Sequence, residues 1–193
     1  MNTIKGFGIN DATYCVYSKV DGKTTRCKAY VSWRAMLNRA FGDDFKRKFS
    51  TYNGVSVCDE WRSFMKFREW WIANYMEGWQ LDKDLLTDEK LYSPETCIYV
   101  PAWLNSFTTN RKSRRGPSPI GVSLCRASGK FTARCHNPIT LKSEFLGSFF
   151  SKTEAYNAWL KRKLEMAGEL KNEMDSIDCR IYDRVVCIIR RAE

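Results

Sequence analysis

The amino-acid sequence predicts an α+β protein made of two small domains joined by a basic linker. An apolar content of 44% over 193 residues is high enough for packed cores. Apolar residues follow helical spacing in much of the first half, and they alternate with polar residues in much of the second. Residues 108–119 (TTNRKSRRGPSP) hold Gly, Pro and basic residues without a large apolar side chain, which is typical of a linker. We therefore expect domains at residues 1–107 and 120–193.

A hairpin and two helices are expected in the first domain. Asp21-Gly22 is a strong signal for a hairpin turn. Apolar spacing predicts helices over residues 28–41 and 58–76, with a basic loop at Lys46–Lys48 between them. The second helix carries an aromatic stripe that we interpret as core rather than as a surface for stacking bases. The stripe consists of Trp61, Phe64, Phe67, Trp71 and Tyr75.

A strand–strand–helix order is expected at the end of the first domain. Residues 79–86 and 96–100 have the pattern of short strands. Pro101 suits the first turn of a helix that ends near Asn105 or Phe107. This order is the one that a ββα metal site requires.

The second domain is expected to be a small three-stranded antiparallel sheet packed on one helix. Ser151 is the expected N-cap of that helix, residues 152–172, and Glu154 completes a capping box. Residues 179–190 fit either a last strand or a short helix. The strands are expected at residues 120–126, 130–136 and 144–150.

The positive charge of the chain is concentrated in one segment. The net charge is +10, and the segment from Arg111 to Lys163 alone holds 12 Lys+Arg against 2 Asp+Glu, so the rest is neutral. This asymmetry indicates that the C-terminal half binds a polyanion. The alternative is a solvated face whose charge serves solubility.

The 8 cysteines are scattered and form no C-x-x-C pair, so no structural zinc is expected. Reduced, buried cysteines are the expected state. The one histidine, His136, is expected at the surface or at a sheet edge. The chain has no 18-residue apolar run and no apolar signal core near its N-terminus, so we expect neither a membrane span nor secretion.

A known family is matched by residues spread from Tyr30 to Asn105. They are Tyr30, Trp33, Met36-Leu37, Arg39, Tyr52-Asn53-Gly54, Val57-Cys58-Asp59-Glu60-Trp61, Phe64, Phe67, Trp70, Leu81-Asp82-Lys83-Asp84, Tyr92-Ser93-Pro94-Glu95-Thr96-Cys97, Val100-Pro101 and Asn105. On these residues the segment resembles phage-encoded HNH endonucleases. The resemblance implies an N-terminal HNH-like ββα-metal domain with flanking helices.

The resemblance also implies roles for four residues. Asp82 and Asn105 correspond to ligands of Mg²⁺ or Mn²⁺. Lys83 stands where nuclease members of the family carry the histidine that acts as general base, so it either replaces that base or neutralises phosphate. Asp84 is either a further ligand or orients Lys83. On the alternative reading, Asp-Lys-Asp is an ordinary surface tripeptide and Asn105 caps a helix end.

The second half resembles the Apetala-type, integrase-like DNA-binding domain of three strands and a helix. This resemblance rests on Gly121-Val122-Ser123, Gly129-Lys130-Phe131-Thr132-Ala133, Leu146-Gly147-Ser148-Phe149, Thr153-Glu154-Ala155 and Ala158-Trp159.

The basic residues of the second half are the expected DNA-binding groups. Four of them alternate with apolar residues on the predicted strands, where they would face a major groove. The linker cations would follow the phosphate backbone, and four aromatic residues would join sheet to helix. The strand cations are Arg126, Lys130, Arg134 and Lys142; the linker cations are Arg111, Lys112, Arg114 and Arg115; the aromatic residues are Phe131, Phe145, Phe149 and Trp159.

Three functions remain open at this point. The first, which the presence of Asp82, Asp84 and Asn105 favours, is a homing-type phage endonuclease that cleaves or nicks double-stranded DNA with a divalent metal, acting in the cytoplasm of an infected bacterium. The second is a DNA-binding regulator on an inactive nuclease scaffold, which the missing histidine favours. The third is a phage inhibitor of a host system, with the basic half docked on an acidic partner.

Overall fold

The computed structural model describes residues 3–109 and 118–192, and it confirms the α+β class. The chain divides into two units, residues 1–99 and 100–193, with the division inside a short strand. The domain boundaries expected from the sequence stay predictions, because most of the linker lies outside the described residues.

The described elements of the N-terminal unit are short strands and helices. The strands are β1 (Tyr17–Val20), β2 (Lys23–Arg26), β3 (Ser56–Val57), β4 (Gln80–Asp82), β5 (Leu91–Tyr92) and β6 (Ile98–Val100), which reaches the division. The helices are α1 (Lys28–Phe41), α2 (Asp43–Lys48) and α3 (Phe64–Asn74).

The described elements of the C-terminal unit are one sheet and several helices. The strands are β7 (Val122–Leu124), β8 (Phe131–His136) and β9 (Ser143–Phe149). The helices are α4 (Ala102–Thr108), α5 (Lys152–Glu169), α6 (Lys171–Ile177) and α7 (Ile181–Arg190).

The hairpin and the first helix are confirmed. β1 and β2 pair antiparallel. The turn residues Asp21 and Gly22 both have positive φ, 50° and 74°, which suits the twist of a two-residue hairpin. α1 buries one face in the core of the unit, where Trp33, Met36 and Leu37 are fully buried.

The segment Lys46–Lys48 is helical, so the predicted basic loop is wrong. These residues form the last turn of α2, which begins with Asp43 and Asp44. Acidic residues in the first turn and cations in the last turn complement the helix dipole. The charge order of this segment therefore favours the short helix.

The helix predicted over residues 58–76 is interrupted at Ser63. A 3-10 turn, Asp59–Arg62, comes first, and the Ser63 hydroxyl then caps α3 by accepting a hydrogen bond from an amide of its first turn at 3.1 Å. The Asp11 carboxylate accepts hydrogen bonds from the Met65 amide at 2.9 Å and from the Ser63 hydroxyl at 2.5 Å. A contact with a distant part of the chain thus fixes the start of the helix.

The aromatic stripe forms the core only in its first part. Trp61, Phe64 and Phe67 are fully buried. Trp71 and Tyr75 are half-buried and stack on each other with ring centroids 4.1 Å apart. Trp71 still packs against the core, whereas Tyr75 does not belong to it, so the prediction of a core stripe is wrong only for Tyr75.

The strand predicted over residues 79–86 ends early, at Asp82. β4 pairs with β6, and β3 pairs in parallel with β5. The Asp82 carboxylate accepts hydrogen bonds from the amides of Asp84 and Leu85, each at 2.8 Å. A carboxylate that binds the next amides favours a turn over further strand.

The sheet of the C-terminal unit is confirmed. β7, β8 and β9 pair antiparallel in that order, and α5 packs on one face. Val122, Ala133 and Ala155 form the buried centre between sheet and helix. The capping box of Ser151 and Glu154 is present as predicted.

The end of the chain is helical. α5 ends at Glu169, earlier than predicted, and the segment that fitted either a strand or a helix forms α7. Ile181, Val185 and Ile189 are buried at four-residue spacing, which gives α7 a single apolar face.

The cysteines are free, as expected, but only part of them is buried. Cys97 and Cys135 lie in the interior, whereas Cys15 and Cys179 are exposed. Burial raises the pKa of the Cys97 thiol to about 12. No helix in the described part of the chain has the length and apolar character needed to cross a membrane.

Candidate functional site

The Asp82–Asp84 loop begins where β4 ends. One oxygen of the Asp82 carboxylate, Oδ1, accepts both backbone hydrogen bonds of the loop. Burial raises the pKa of this carboxyl, and the two hydrogen bonds offset only part of that effect. The sequence thus placed an acidic side chain at a strand end correctly.

Lys83 is a buried lysine with a charged partner. Its side chain is 5% exposed and its ammonium pairs with the carboxylate of Asp84, which is 70% exposed. The Lys83 Nζ also lies 6.0 Å and 5.8 Å from the ring centroids of Tyr52 and Tyr92. The Lys83 side chain is thus enclosed by the Asp84 carboxylate and two tyrosine rings, next to Asp82 in the chain.

Arg39 is a second cation near Asp82. Burial lowers the pKa of Arg39, but the Tyr92 hydroxyl and the charge of Asp82 act the other way, and the net pKa is raised. Burial also raises the pKa of Tyr92, which the Arg39 guanidinium partly offsets. Arg39 follows Met36 by three residues on α1, so helical spacing alone indicated that its side chain points toward the core side.

Asn105 lies in α4, within the C-terminal unit, and is half-buried. Its backbone carbonyl accepts a hydrogen bond from the Thr109 hydroxyl at 2.7 Å. Its pairing with Asp82 on one cation stays a prediction. Among residues 3–109 and 118–192, no group of three or more His, Cys, Asp or Glu side chains is arranged to hold a metal.

The fit of Mg²⁺ to the Asp82–Asp84 loop rests on oxygen chemistry. Mg²⁺ is commonly held by one or two carboxylates together with water and substrate phosphate. Asp82 and Asp84 supply two carboxylates of that kind. The Lys83 ammonium competes for the same negative charge, so the residues fit the ion only in part.

The basic residues predicted on the strands are distributed differently. Only Arg134 lies on a strand, β8. Arg126 lies in the β7–β8 turn, and Lys130 and Lys142 directly precede β8 and β9. The turn is set by Gly129, whose φ of +67° glycine adopts readily. The prediction of four strand positions is therefore wrong for three of them.

Arg134 projects from the face of the sheet opposite to α5. A β-bulge between Ala133 and Arg134 brings Arg134 opposite Phe145. The Arg134 guanidinium lies 5.3 Å from the centroid of the Phe145 ring, which is 56% exposed. Phe145 was expected to join the sheet to the helix, and this prediction is wrong.

The remainder of this open sheet face is polar. The Ser123 and Thr132 hydroxyls are 2.8 Å apart across β7 and β8. His136 is exposed at the end of β8, which confirms its surface position, and it pairs with Ser143 on β9. We call Ser123, Thr132, Arg134, His136, Ser143, Phe145 and Ser148 the open sheet face.

Both carboxylates of the basic segment have partners within the fold. Glu144 accepts hydrogen bonds from Arg162 at 2.7 Å and 3.3 Å, and this contact holds the pKa of Glu144 below its usual range. The Glu154 carboxylate accepts the Ser151 amide hydrogen bond at the start of α5. Neither acid is therefore on the open sheet face.

The cations around the sheet have aromatic neighbours instead of acidic ones. Lys130 Nζ lies 4.5 Å from the centroid of Phe150, and Lys152 Nζ lies 5.8 Å from that of Phe131. Phe150 is 81% exposed. Within the described residues, no carboxylate lies within 4.0 Å of the cationic groups of these two lysines, nor of those of Arg126, Arg134 and Lys142.

The linker cations Arg111, Lys112, Arg114 and Arg115 lie outside the described residues, so their part in the interface stays a prediction. Compared with models of protein families, with curated proteins and with solved structures, the chain shows no significant match.

Proposed function

We propose that this protein binds double-stranded DNA through the open sheet face and the cations at its two ends. One observation carries the proposal: four exposed or half-exposed cations lie on the open sheet face or directly beside its strands, while both acids of the segment have partners within the fold. Binding of a polyanion to such a surface is favourable, because it releases the counterions condensed on the polyanion. If the charge served only solubility, there would be no reason for one face of the sheet to lack acidic residues.

The open sheet face also has the shape of a nucleic-acid reader. A two- or three-stranded ribbon fits a major groove, where an arginine fork recognises guanine. Arg134 is the strand residue with that chemistry, and Phe145 beside it offers apolar contact to a thymine methyl group. Lys130 and Lys142 directly precede β8 and β9, and at such strand ends phosphates are the natural partners.

The test is a fluorescence-anisotropy titration of the full-length protein with labelled duplex DNA over a series of salt concentrations. Replacing Arg134 by Gln is expected to weaken binding to the preferred sequence by about 5- to 150-fold, since a lost bidentate base contact costs about 1–3 kcal/mol. Replacing Lys142 by Gln should weaken all sequences alike and reduce the salt slope by about one.

The matched control is Arg190→Gln, an exposed arginine in the last turn of α7 in the same unit. It changes the net charge by the same amount and should leave affinity within about twofold. Equal losses for Arg190→Gln and Arg134→Gln would mean that net charge, rather than the open sheet face, binds DNA. Failure of the wild type to bind duplex DNA at any salt concentration would refute the proposal.

A second candidate function is metal-dependent cleavage of the bound DNA, favoured by the position of Asp82. The acid lies at the end of β4, which pairs with β6, and β6 is followed along the chain by α4 with Asn105. A divalent cation bound there would neutralise the scissile phosphate and the leaving oxygen. Asp82 and Asp84 of the N-terminal unit would hold it.

In this candidate reaction Lys83 neutralises charge. An ammonium paired with a carboxylate has no lone pair with which to accept a proton from water, so the pairing with Asp84 supports this role over that of a general base. Such a protein acts where phage and host DNA are found, in the cytoplasm of an infected bacterium.

Nicking of supercoiled plasmid by the full-length protein with Mg²⁺ or Mn²⁺ tests the second candidate. Asp82→Asn should abolish nicking with DNA affinity unchanged, and Lys83→Arg should retain more activity than Lys83→Met. No nicking by wild type with either metal would leave the DNA-binding regulator as the function. Undiminished nicking by Asp82→Asn would remove this loop from the reaction.

A further inference from the structure

A cationic cavity lies in the N-terminal unit, away from the Asp82–Asp84 loop in sequence. It has a volume of about 290 Å³ and lies between the β1–β2 hairpin, α1 and the N-terminal turn. Six of its lining residues carry polar or charged groups, and none is acidic. They are Lys5, Tyr17, Arg26, Tyr30, Arg34 and Asn38.

Two regular elements bring five of these groups together. Tyr30, Arg34 and Asn38 follow one another at four-residue spacing on α1, so they share one face of the helix. Tyr17 and Arg26 are cross-strand partners in the hairpin. The cavity is thus built by the register of a hairpin and the period of a helix.

The side chains of the cavity are held in place by one another. Arg34 donates a hydrogen bond to the Tyr17 hydroxyl at 2.9 Å. The Arg26 guanidinium lies 5.9 Å from the centroid of the Tyr17 ring, and Tyr30 meets that ring edge-on with centroids 5.7 Å apart. Tyr30 is 5% exposed and closes one wall of the cavity.

The three cations of the cavity have no acidic partner. Within residues 3–109 and 118–192, no carboxylate lies within 4.0 Å of the charged groups of Lys5, Arg26 or Arg34. All three side chains are exposed, so an anion from solvent can reach them. A bound anion would supply the counter-charge that the fold does not provide.

We propose that this cavity binds the phosphate monoester of a nucleotide, either free or at the 5′ end of a DNA strand. A dianionic phosphate matches two guanidinium forks and an ammonium, and the tyrosine hydroxyls and the Asn38 amide supply further hydrogen bonds. The volume exceeds what a phosphate alone fills, which leaves room for part of a nucleoside. The proposal does not depend on DNA binding by the open sheet face.

The test is isothermal titration calorimetry of the full-length protein with four ligands at constant ionic strength. They are inorganic phosphate, adenosine 5′-monophosphate, and a short duplex with either 5′-phosphate or 5′-hydroxyl ends. Arg34→Gln and Arg26→Gln should each weaken binding of the phosphate monoesters by at least about tenfold, because each removes a charge-assisted hydrogen bond. Circular dichroism shows whether each variant is folded. If Arg34→Gln is unfolded, the Arg26→Gln variant still tests the site, because Arg26 is exposed on the hairpin.

The matched control is Arg47→Gln in α2, an exposed arginine paired with Asp44 outside the cavity. It should bind every ligand as wild type does, and so should Arg134→Gln for the free nucleotide. Binding of adenosine monophosphate that depends on Arg34 identifies the free nucleotide as ligand. Binding confined to the 5′-phosphorylated duplex and dependent on Arg34 identifies the DNA end. No binding of a monoester, or equal loss in Arg47→Gln, refutes the site.

Discussion

Among residues 3–109 and 118–192, one lysine is buried in each unit, and the two lysines differ in whether they have a counter-charge. Lys83 has the carboxylate of Asp84 as its partner. Lys163 on α5 is 8% exposed, and its Nζ lies 3.4 Å from the centroid of the Phe107 ring. No carboxylate of the described residues lies within 4.0 Å of the Lys163 ammonium. Burial lowers the pKa of Lys163 to about 8.

The difference shows that the cost of a buried ammonium depends on its counter-charge. A cation–π contact with an aromatic ring stabilises an ammonium by only about 0.5–2 kcal/mol, which offsets part of its lost hydration energy. A fall in pKa from 10.5 to about 8 corresponds to a destabilisation on the order of 3 kcal/mol while the lysine is charged. That cost is fully present below pH 8, declines as pH rises from 8 to 10.5, and is absent above, because the folded state loses its proton first.

The largest expected effect is stabilisation by Lys163→Met. Methionine keeps the apolar stem and removes the charge, so the C-terminal unit should gain about 1–3 kcal/mol at pH 7. Most of the gain should disappear by pH 10. Native-state hydrogen exchange of the amides in α5 measures it.

Lys161→Met is the control for this prediction, because Lys161 is exposed on the same helix. Its effect should stay within about 0.5 kcal/mol at either pH. A loss of stability in Lys163→Met at pH 7 would show that the contact with Phe107 outweighs the cost of burial.

Lys83→Met should have the opposite sign and a smaller size. It removes the ion pair with Asp84 and the contacts with Tyr52 and Tyr92, at a cost of about 1 kcal/mol. Hydrogen exchange of the amides around β4 reports the effect. Lys66→Met is the control, because its ion pair with Glu69 is exposed on both sides. If Lys83→Met were stabilised, the Asp84 carboxylate would not offset the cost of burying Lys83, and the two lysines would not differ.

The smallest effect is expected for Asp82→Asn, again as a stabilisation. Burial raises the pKa of Asp82, so the folded state disfavours its charged form. The resulting loss of stability is absent below the unfolded pKa of 3.8 and complete once the pH exceeds the folded pKa. The amide oxygen of Asn still accepts the two backbone hydrogen bonds. Urea denaturation should show a small gain in the free energy of unfolding at pH 7 that vanishes near pH 3. If the gain in the free energy of unfolding were equal at both pH values, its cause would not be the charge of Asp82.

Local signals predicted the fold well where neighbouring residues decide it. The Asp21-Gly22 turn and the Ser151–Glu154 capping box involve residues within three positions of each other, and both are confirmed. The break at Ser63 was missed because the Asp11 carboxylate that supports it lies 52 residues away. Periodicity cannot register such a partner.

The candidate site was predicted less completely than the fold. Asp82 was found because an acid ends an apolar strand, but the burial of Lys83 depends on Tyr52 and Tyr92 from other elements. Arg126, Lys130 and Lys142 were placed on strands because period two does not show where a strand ends. Lys163 follows Trp159 by four residues, so the helical period did contain the signal for its burial.

The contact between Asp11 and Ser63 has a consequence for the order of events during synthesis. The Ile9 amide donates to the Arg62 carbonyl at 2.8 Å, and the Phe64 amide donates to the Ile9 carbonyl at 3.1 Å. The segment around Ile9 is therefore synthesised before its hydrogen-bond partners. Synthesis of the intervening residues, about fifty, takes roughly 3–10 s at ordinary translation rates. The β1–β2 hairpin and the backbone hydrogen bonds of α1 are local and can form before that, so the segment around Ile9 is among the last of its unit to dock.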